Sequence, residues 1–297
     1  MELIHAIVYG IIQGVTAYLP ISSDAHIRLV QSFLHWDKDE SPVFVAYTAV
    51  IQLGPTLAVI LYYRKVIAKA LKRWFQTVIG NRPPRDAKLA WGVFWGTIPI
   101  IVLGLLLQKP IETHFRSLYY VAGSLIAIAF VMFYGDKIQK EGRDVNDVEV
   151  KDGLIVGLWQ CLALIPGASR SGSTITGSLF QGFKRESAAE FAFLLGIPSF
   201  TAAGVYEGLK YHQELHALLQ PLAISFVISF VVAYACLAWF LHFLQKKGVG
   251  PFVIYRIVLG IVILGLVFGG VLEPNAGAKP LADEGGKTSM LSTAERR

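Results

Sequence analysis

Charge is what this chain has least of. Asp, Glu, Lys and Arg make up 16% of its 297 residues, where soluble globular domains carry about 25%. With 54% hydrophobic residues and a mean hydropathy of +0.52, the composition excludes an ordinary soluble domain and points to a polytopic membrane protein. Cysteine is nearly absent. Cys161 and Cys236 both fall within apolar runs and share no metal-ligand spacing, so neither a disulfide nor a zinc site is assigned. The N-terminus has no basic n-region, and a cleaved signal peptide is not expected. The net charge of +6 is not gathered into a nucleic-acid patch: the basic residues stand between the apolar runs, where they report topology.

The apolar runs predict six spans. Residues 43–63 are charge-free, and residues 64–88 then hold Arg64, Lys65, Lys69, Lys72, Arg73, Arg82, Arg85 and Lys88 against one acid, Asp86, the strongest cytoplasmic signal in the chain. Residues 89–108 cross outward and 117–135 cross back to a polar loop, 136–152, with four basic residues and six acids. Residues 187–206 go out, 218–244 return to Lys246 and Lys247, and 252–272 leave the C-terminus outside. Two further stretches are too short to span and are broken midway: residues 1–41, interrupted at Leu19-Pro20-Ile21-Ser22-Ser23-Asp24-Ala25-His26, and residues 153–182. Both read as re-entrant helical hairpins.

The fold class is therefore an all-α polytopic membrane protein forming one membrane domain, 1–272. Two halves, 1–135 and 153–272, each carry a hairpin and three spans, and the odd span count gives them opposite orientation. Gly10-Ile11-Ile12-Gln13 followed by Leu19-Pro20 and Ser22-Ser23 is echoed by Gly157-Leu158-Trp159-Gln160, Ile165-Pro166 and Ser169-Arg170-Ser171. Inverted repeats place their sites near mid-membrane, at the repeat interface, so the two polar hairpins should meet. Residues 273–297, rich in Gly, Ala, Ser, Thr and charge, are expected to be a disordered tail.

The second hairpin is the feature around which the chain is organised. Residues 165–177 hold three glycines, three serines, two threonines and Arg170 inside an apolar region. Small residues let backbone N–H groups turn inward as an anion nest, and hydroxyls and a guanidinium add donors. Gly/Ser packing accounts for the glycines but not for Arg170. The stretch reads as a phosphate cradle. His26 is the only histidine within a broken-helix motif, and imidazole serves as nucleophile or general acid–base near neutral pH. Asp24 has two readings, as a helix N-cap or as a carboxylate that orients His26 or binds a divalent cation. Glu190 stands inside an apolar run, where it pairs with a buried cation or with the cradle, or lies at the interface near Lys184 and Arg185. Arg256 is read as a snorkelling residue near the inner face. Gln52 breaks a span and serves either as a hairpin contact or as helix glue. The sum is phosphoryl chemistry or phosphate binding at membrane depth, on a substrate with a phosphate head and a lipid tail.

On these residues the chain resembles the undecaprenyl-diphosphatase family of bacterial inner membranes, the bacitracin-resistance type. The signatures are the run from Gln13 to His26 and the run from Pro166 to Ile175, with Gln52-Leu53-Gly54, Glu190-Phe191 and Tyr255-Arg256 in order between and after them. The resemblance covers roughly residues 1–272. It implies an inverted-repeat fold in the cytoplasmic membrane, with a site towards the periplasm. There the enzyme removes the terminal phosphate of undecaprenyl diphosphate, recycling the lipid carrier for peptidoglycan synthesis and conferring bacitracin resistance. Carried over, Arg170 holds the diphosphate with Gly167, Ser169, Ser171, Gly172, Ser173, Thr174 and Gln13, while His26, Ser22 and Ser23 act in catalysis. The first signature departs at one place that matters: where the family has a glutamate four residues after the position of Gln13, this chain has Ala17. Asp24, where the family has a small hydroxyl residue, is then the stand-in carboxylate and the metal ligand for Mg²⁺ or Ca²⁺. Arg28 is a charge where the family is apolar. The partners so implied are the polyprenyl diphosphate and membrane lipids, with a homodimer left open. Ala17 also keeps a second reading open, a polyprenyl-phosphate transporter or scramblase, or a lipid binder that has lost turnover.

Overall fold

The computed structural model describes residues 3–34, 36, 42–80, 83, 87–114, 117–139 and 142–274. The tail beyond 274 and the acidic turn at 37–40 lie outside them. The described residues form helices and no strand, apart from one isolated bridge between Arg143 and Phe183. The first hairpin is α1 (Leu3–Thr16) and α2 (Ser23–Phe33). A broken span follows, α3 (Pro42–Ile51) and α4 (Leu53–Tyr62), then α5 (Arg64–Val78), α6 (Lys88–His114) and α7 (Leu118–Ile138). The second hairpin is α8 (Val150–Cys161) and α9 (Arg170–Phe180). After it come α10 (Arg185–Lys210), short α11 (His212–His216), α12 (Leu219–Lys247) and α13 (Gly250–Phe268).

Among the described residues, six helices or helix pairs are long and apolar enough to cross a membrane: Pro42–Tyr62, Lys88–Leu107, Leu118–Ile138, Arg185–Lys210, Leu219–Lys247 and Gly250–Phe268. These are the spans expected from the sequence. The hairpin helices are shorter. At 14 residues α1 is the longest of them, about 21 Å at 1.5 Å per residue, below the roughly 30 Å of a bilayer core.

Each hairpin breaks in the same way. The chain leaves its first helix at a proline segment, Leu19-Pro20 or Ile165-Pro166, where the ring removes a donor and biases the preceding residue away from the helix. It then re-enters through a serine with positive φ. Ser22 (φ 72°) and Ser169 (φ 69°) are the only non-glycine residues in that region among those described. Each serine caps the following helix, Ser22 Oγ accepting from the Ala25 amide at 3.5 Å and Ser169 Oγ from the Gly172 amide at 3.3 Å.

The hairpins are held by helices of the other half of the chain. Helix α1 packs on α12, and α8 packs on α6. A Cβ on Gly153 or Gly157 would overlap the backbone of Gly92 or Gly96, so this contact exists only because both faces repeat glycine every four residues. On α1, Gly10 and Gly14 meet Ser225 and Ser229 of α12 in the same spacing, and Ser225 Oγ donates to the Ala6 carbonyl at 2.6 Å. At the polar end, Arg143 grips Asp152 with both terminal nitrogens, one at 2.8 Å, and stacks 4.4 Å above the Phe183 ring. Asp152 is fully buried, and its carboxylate raises the Arg143 pKa above the ordinary guanidinium value.

Candidate functional site

The two hairpin tips meet. Ser171 Oγ of α9 donates to the Leu19 carbonyl of the first tip at 3.0 Å. Arg256 of α13 binds both tips at once: Nη1 donates to Pro20 O at 3.1 Å, and Nη2 donates to Gly167 O and Ala168 O at 3.1 and 3.0 Å. Its Nε reaches Leu125 O of α7 at 3.2 Å. Arg256 is 0% exposed. The snorkelling role read from the sequence is therefore corrected: the side chain runs inward and ties four carbonyls on three elements. Its position six residues into α13 suits either role, and only the arrival of both tips beside it decides.

A cavity of about 720 Å³ opens at this meeting point. Thr16, Ala17, Ser22, Ser23 and Asp24 line it from the first hairpin, and Gly167, Ser169, Arg170 and Ser171 from the second. Gln52, at the break between α3 and α4, joins them. The other walls are α6, through Ile100, Ile101, Gly104 and Leu105, and α10, through Ser199, Phe200, Tyr206 and Glu207. Polar groups thus concentrate at the tips, and the α6 wall is apolar.

Arg170 dominates the chemistry of this space. Its Nε, Nη1 and Nη2 are all buried and none has a hydrogen-bond partner. The guanidinium carbon sits 3.6 Å above the Phe200 ring, and a Cβ on Gly196 would occupy its place. A planar group clamped between an aromatic face and bare backbone is held in orientation while its donors stay unused. Among the described residues neither Arg170 nor Arg256 pairs with a carboxylate. Two uncompensated guanidinium groups at one junction favour an anionic occupant.

The family comparison agrees with this geometry. Residues 6–262 match the model of the family described as bacitracin resistance protein BacA. The chain belongs to this family. Among curated relatives, it is 45% identical to the undecaprenyl-diphosphatase of Chloroherpeton thalassium, over 92% of this chain and 99% of the relative. It is 43% identical to the one of Thermobifida fusca, over 94% and 95%, and 44% identical to the one of Myxococcus xanthus, over 94% of each.

Within this BacA-family chain the residues singled out from sequence separate into two groups. Ser22, Ser23, Asp24, Gly167, Ser169, Arg170 and Ser171 share the cavity. Gly172, Ser173, Thr174 and Gln13 do not line it. Thr174 Oγ1 turns back onto its own helix, donating to Arg170 O at 2.8 Å; Gly172 packs under Met132 and Arg256, and Ser173 and Gln13 are buried. His26 does not line the cavity either and lies against α13. Its Nδ1 is 2.7 Å from the Ser22 carbonyl and its Nε2 is 2.6 Å from the Tyr255 hydroxyl, with the two rings parallel to within 5°. A carbonyl only accepts, so Nδ1 carries a proton, and in the neutral ring Nε2 accepts from the Tyr255 hydroxyl.

Asp24 is exposed and ion-paired to Arg28 at 3.5 Å; Ser22, not Asp24, is the N-cap of α2. Glu190 is half-buried and lies away from the cavity. For the divalent cation, no group of three His, Cys, Asp or Glu side chains converges among the described residues. Sequence reasoning missed Phe200, Tyr206 and Glu207, which lie outside the Glu190-Phe191 motif of their helix, and misread Arg256, whose signal was a charge in an apolar run.

Proposed function

We propose that this protein hydrolyses undecaprenyl diphosphate to undecaprenyl phosphate and inorganic phosphate, in the cytoplasmic membrane with the site towards the periplasm. The observation that carries the reading is Arg170, whose three buried donor nitrogens have no partner beside a hydroxyl-lined, apolar-walled cavity. Relatives at 43–45% identity bear the name of this activity. The transport alternative has no observation of its own in its favour.

In this reading the diphosphate lies against Arg170, Ser169 and Ser171, and the prenyl chain follows the α6 wall. Charge on the terminal phosphoryl oxygens grows as the bridging anhydride bond breaks, and the fixed guanidinium stabilises it. A water oxygen attacks the terminal phosphorus and gives its proton to Asp24, the tip carboxylate on the cavity wall. The anhydride P–O bond breaks, and the prenyl monophosphate leaves. His26 holds the Ser22 tip through its carbonyl and so acts as a positioning residue. Any divalent cation would be carried by the diphosphate oxygens and no step is assigned to it. Matched serine conformations at the two tips and the crossed packing of α1 and α8 support an inverted repeat of 1–135 and 153–272. Basic Arg64–Arg73, Lys184, Arg185, Lys246 and Lys247 fall on one side of the spans, which supports a cytoplasmic position for that side.

The test is phosphate release from undecaprenyl diphosphate by the purified protein in detergent, with Mg²⁺ and with chelator, beside Arg170→Ala, Asp24→Asn and His26→Ala. Loss in the first two, with a smaller effect of His26→Ala, is expected. Binding of the lipid without any release by folded protein would overturn the hydrolase reading.

A further inference from the structure

Helix α5 takes no part in the site, yet it has an organised surface. Alone among the described helices of ten residues or more, it buries none of its residues. Val66, Ile67, Ala70, Leu71, Trp74, Phe75 and Val78 recur with helical period and form one stripe, while Lys65, Lys69, Lys72 and Arg73 fall on the other side. One edge of the apolar stripe touches the protein. Val66 and Ile67 pack against the central core, and Trp74 meets Trp91 of α6 edge-on at 5.8 Å. The other edge is open, with Leu71 56%, Phe75 60% and Val78 56% exposed. Among the described residues no carboxylate pairs with any of the four basic side chains.

The helix starts directly after the span that ends at Tyr62, and the next span begins at Lys88. At 15 residues it is about 22 Å long, and its basic side forbids insertion across the bilayer. We propose that α5 lies along the membrane surface and binds the headgroups of anionic lipids. The open apolar edge enters the acyl boundary, and Lys65, Lys69, Lys72 and Arg73 hold phosphate-bearing headgroups above it. A bilayer is favoured as the occupant because the spans at both ends fix α5 to its surface and because the unpaired charges are all of one sign. The inference does not depend on the phosphatase reading.

The test uses the full chain in lipid nanodiscs. A fluorophore is placed at Val78→Cys in a Cys161→Ala, Cys236→Ala background, and quenching by spin-labelled phosphatidylglycerol is compared with quenching by spin-labelled phosphatidylcholine. The expected result is a preference for the anionic lipid of roughly five-fold or more at low salt. It should collapse near 1 M salt, where the Debye length is about 3 Å, and in the Lys65→Gln, Lys69→Gln, Lys72→Gln, Arg73→Gln variant. Equal quenching by the two lipids, or a preference that survives those four substitutions, would overturn the proposal. So would a label that neither lipid quenches, since a protein partner or second copy would then cover the edge. An unchanged melting temperature and elution profile show that the four substitutions, all at exposed positions, leave the fold intact.

Discussion

Replacing Arg256 separates a clamp from a snorkelling side chain in one experiment. Arg256→Met keeps much of the side-chain volume and removes four donated hydrogen bonds. The Leu125 carbonyl lies inside α7 and retains its helical partner. The carbonyls of Pro20, Gly167 and Ala168 belong to the irregular tips, and each becomes a buried acceptor without a donor, at about 1–3 kcal/mol apiece. Against this, removing a buried charge that has no carboxylate partner returns several kcal/mol of desolvation. The balance is a destabilisation of about 2–4 kcal/mol, or a fall in melting temperature of about 5–10 °C at the scale of a chain this size. Arg256→Lys keeps the buried charge, but one compact ammonium cannot reach carbonyls on three elements. The lysine variant should therefore melt below the methionine variant. Phosphate release should fall at least about ten-fold in both, because tips displaced by an ångström misplace Ser169, Arg170 and Ser171 together. Melting followed by intrinsic fluorescence in detergent, with phosphate release on the same samples, reads both effects. A lysine variant as stable as the parent, with methionine close behind, would refute the clamp and restore the snorkelling picture.

Three further outcomes follow from the same geometry. Arg170→Met should leave melting unchanged or raise it, since no hydrogen bond is lost, the methionine still packs on Phe200 and an uncompensated buried charge is removed, while kcat/KM falls by about 10² or more; a variant that unfolds instead would mean Arg170 is structural. Ala17→Glu puts a carboxylate on the cavity wall that Arg170 also lines, and phosphate release should become sensitive to chelator; unaltered metal dependence would show that this position does not reach the diphosphate. Asp152→Ala strands Arg143 at a fully buried partner position, and a stability loss of about 3 kcal/mol is expected in a melting experiment, with catalysis at lower temperature preserved.

The spans and both breaks were legible because they rest on the strongest signals a sequence carries: long charge-free runs, and proline with small polar residues where a span would forbid them. The cradle was legible only in part. Ser169, Arg170 and Ser171 reach the cavity, whereas Thr174, Thr176 and Ser178 return their hydroxyls to carbonyls four residues earlier, at 2.8, 2.7 and 2.9 Å. A hydroxyl in a small-residue helix serves equally as a ligand or as a back-bond, and which it becomes depends on the face that neighbouring helices cover. His26 shows the same limit. Its place three residues after the tip serine's neighbour could aim it at the cavity or behind it, and the Tyr255 hydroxyl on α13, 229 residues away in sequence, takes it behind.

What the tips share and what they do not share together account for the site. Ser22 and Ser169 have nearly the same backbone conformation, cap their helices alike, and present the next two residues to one cavity. In the first tip those residues are Ser23 and Asp24; in the second they are Arg170 and Ser171. Equivalent backbones thus bring one acidic and one basic side chain to the lining of the same space. The acidic side chain is exposed and ion-paired to Arg28, whereas the guanidinium nitrogens are buried without a hydrogen-bond partner. A binder would need only the base. In the proposed mechanism hydrolysis needs the Asp24 carboxylate as proton acceptor beside the fixed cation, and Asp24→Asn, which keeps the shape and removes the charge, is the substitution that separates the two.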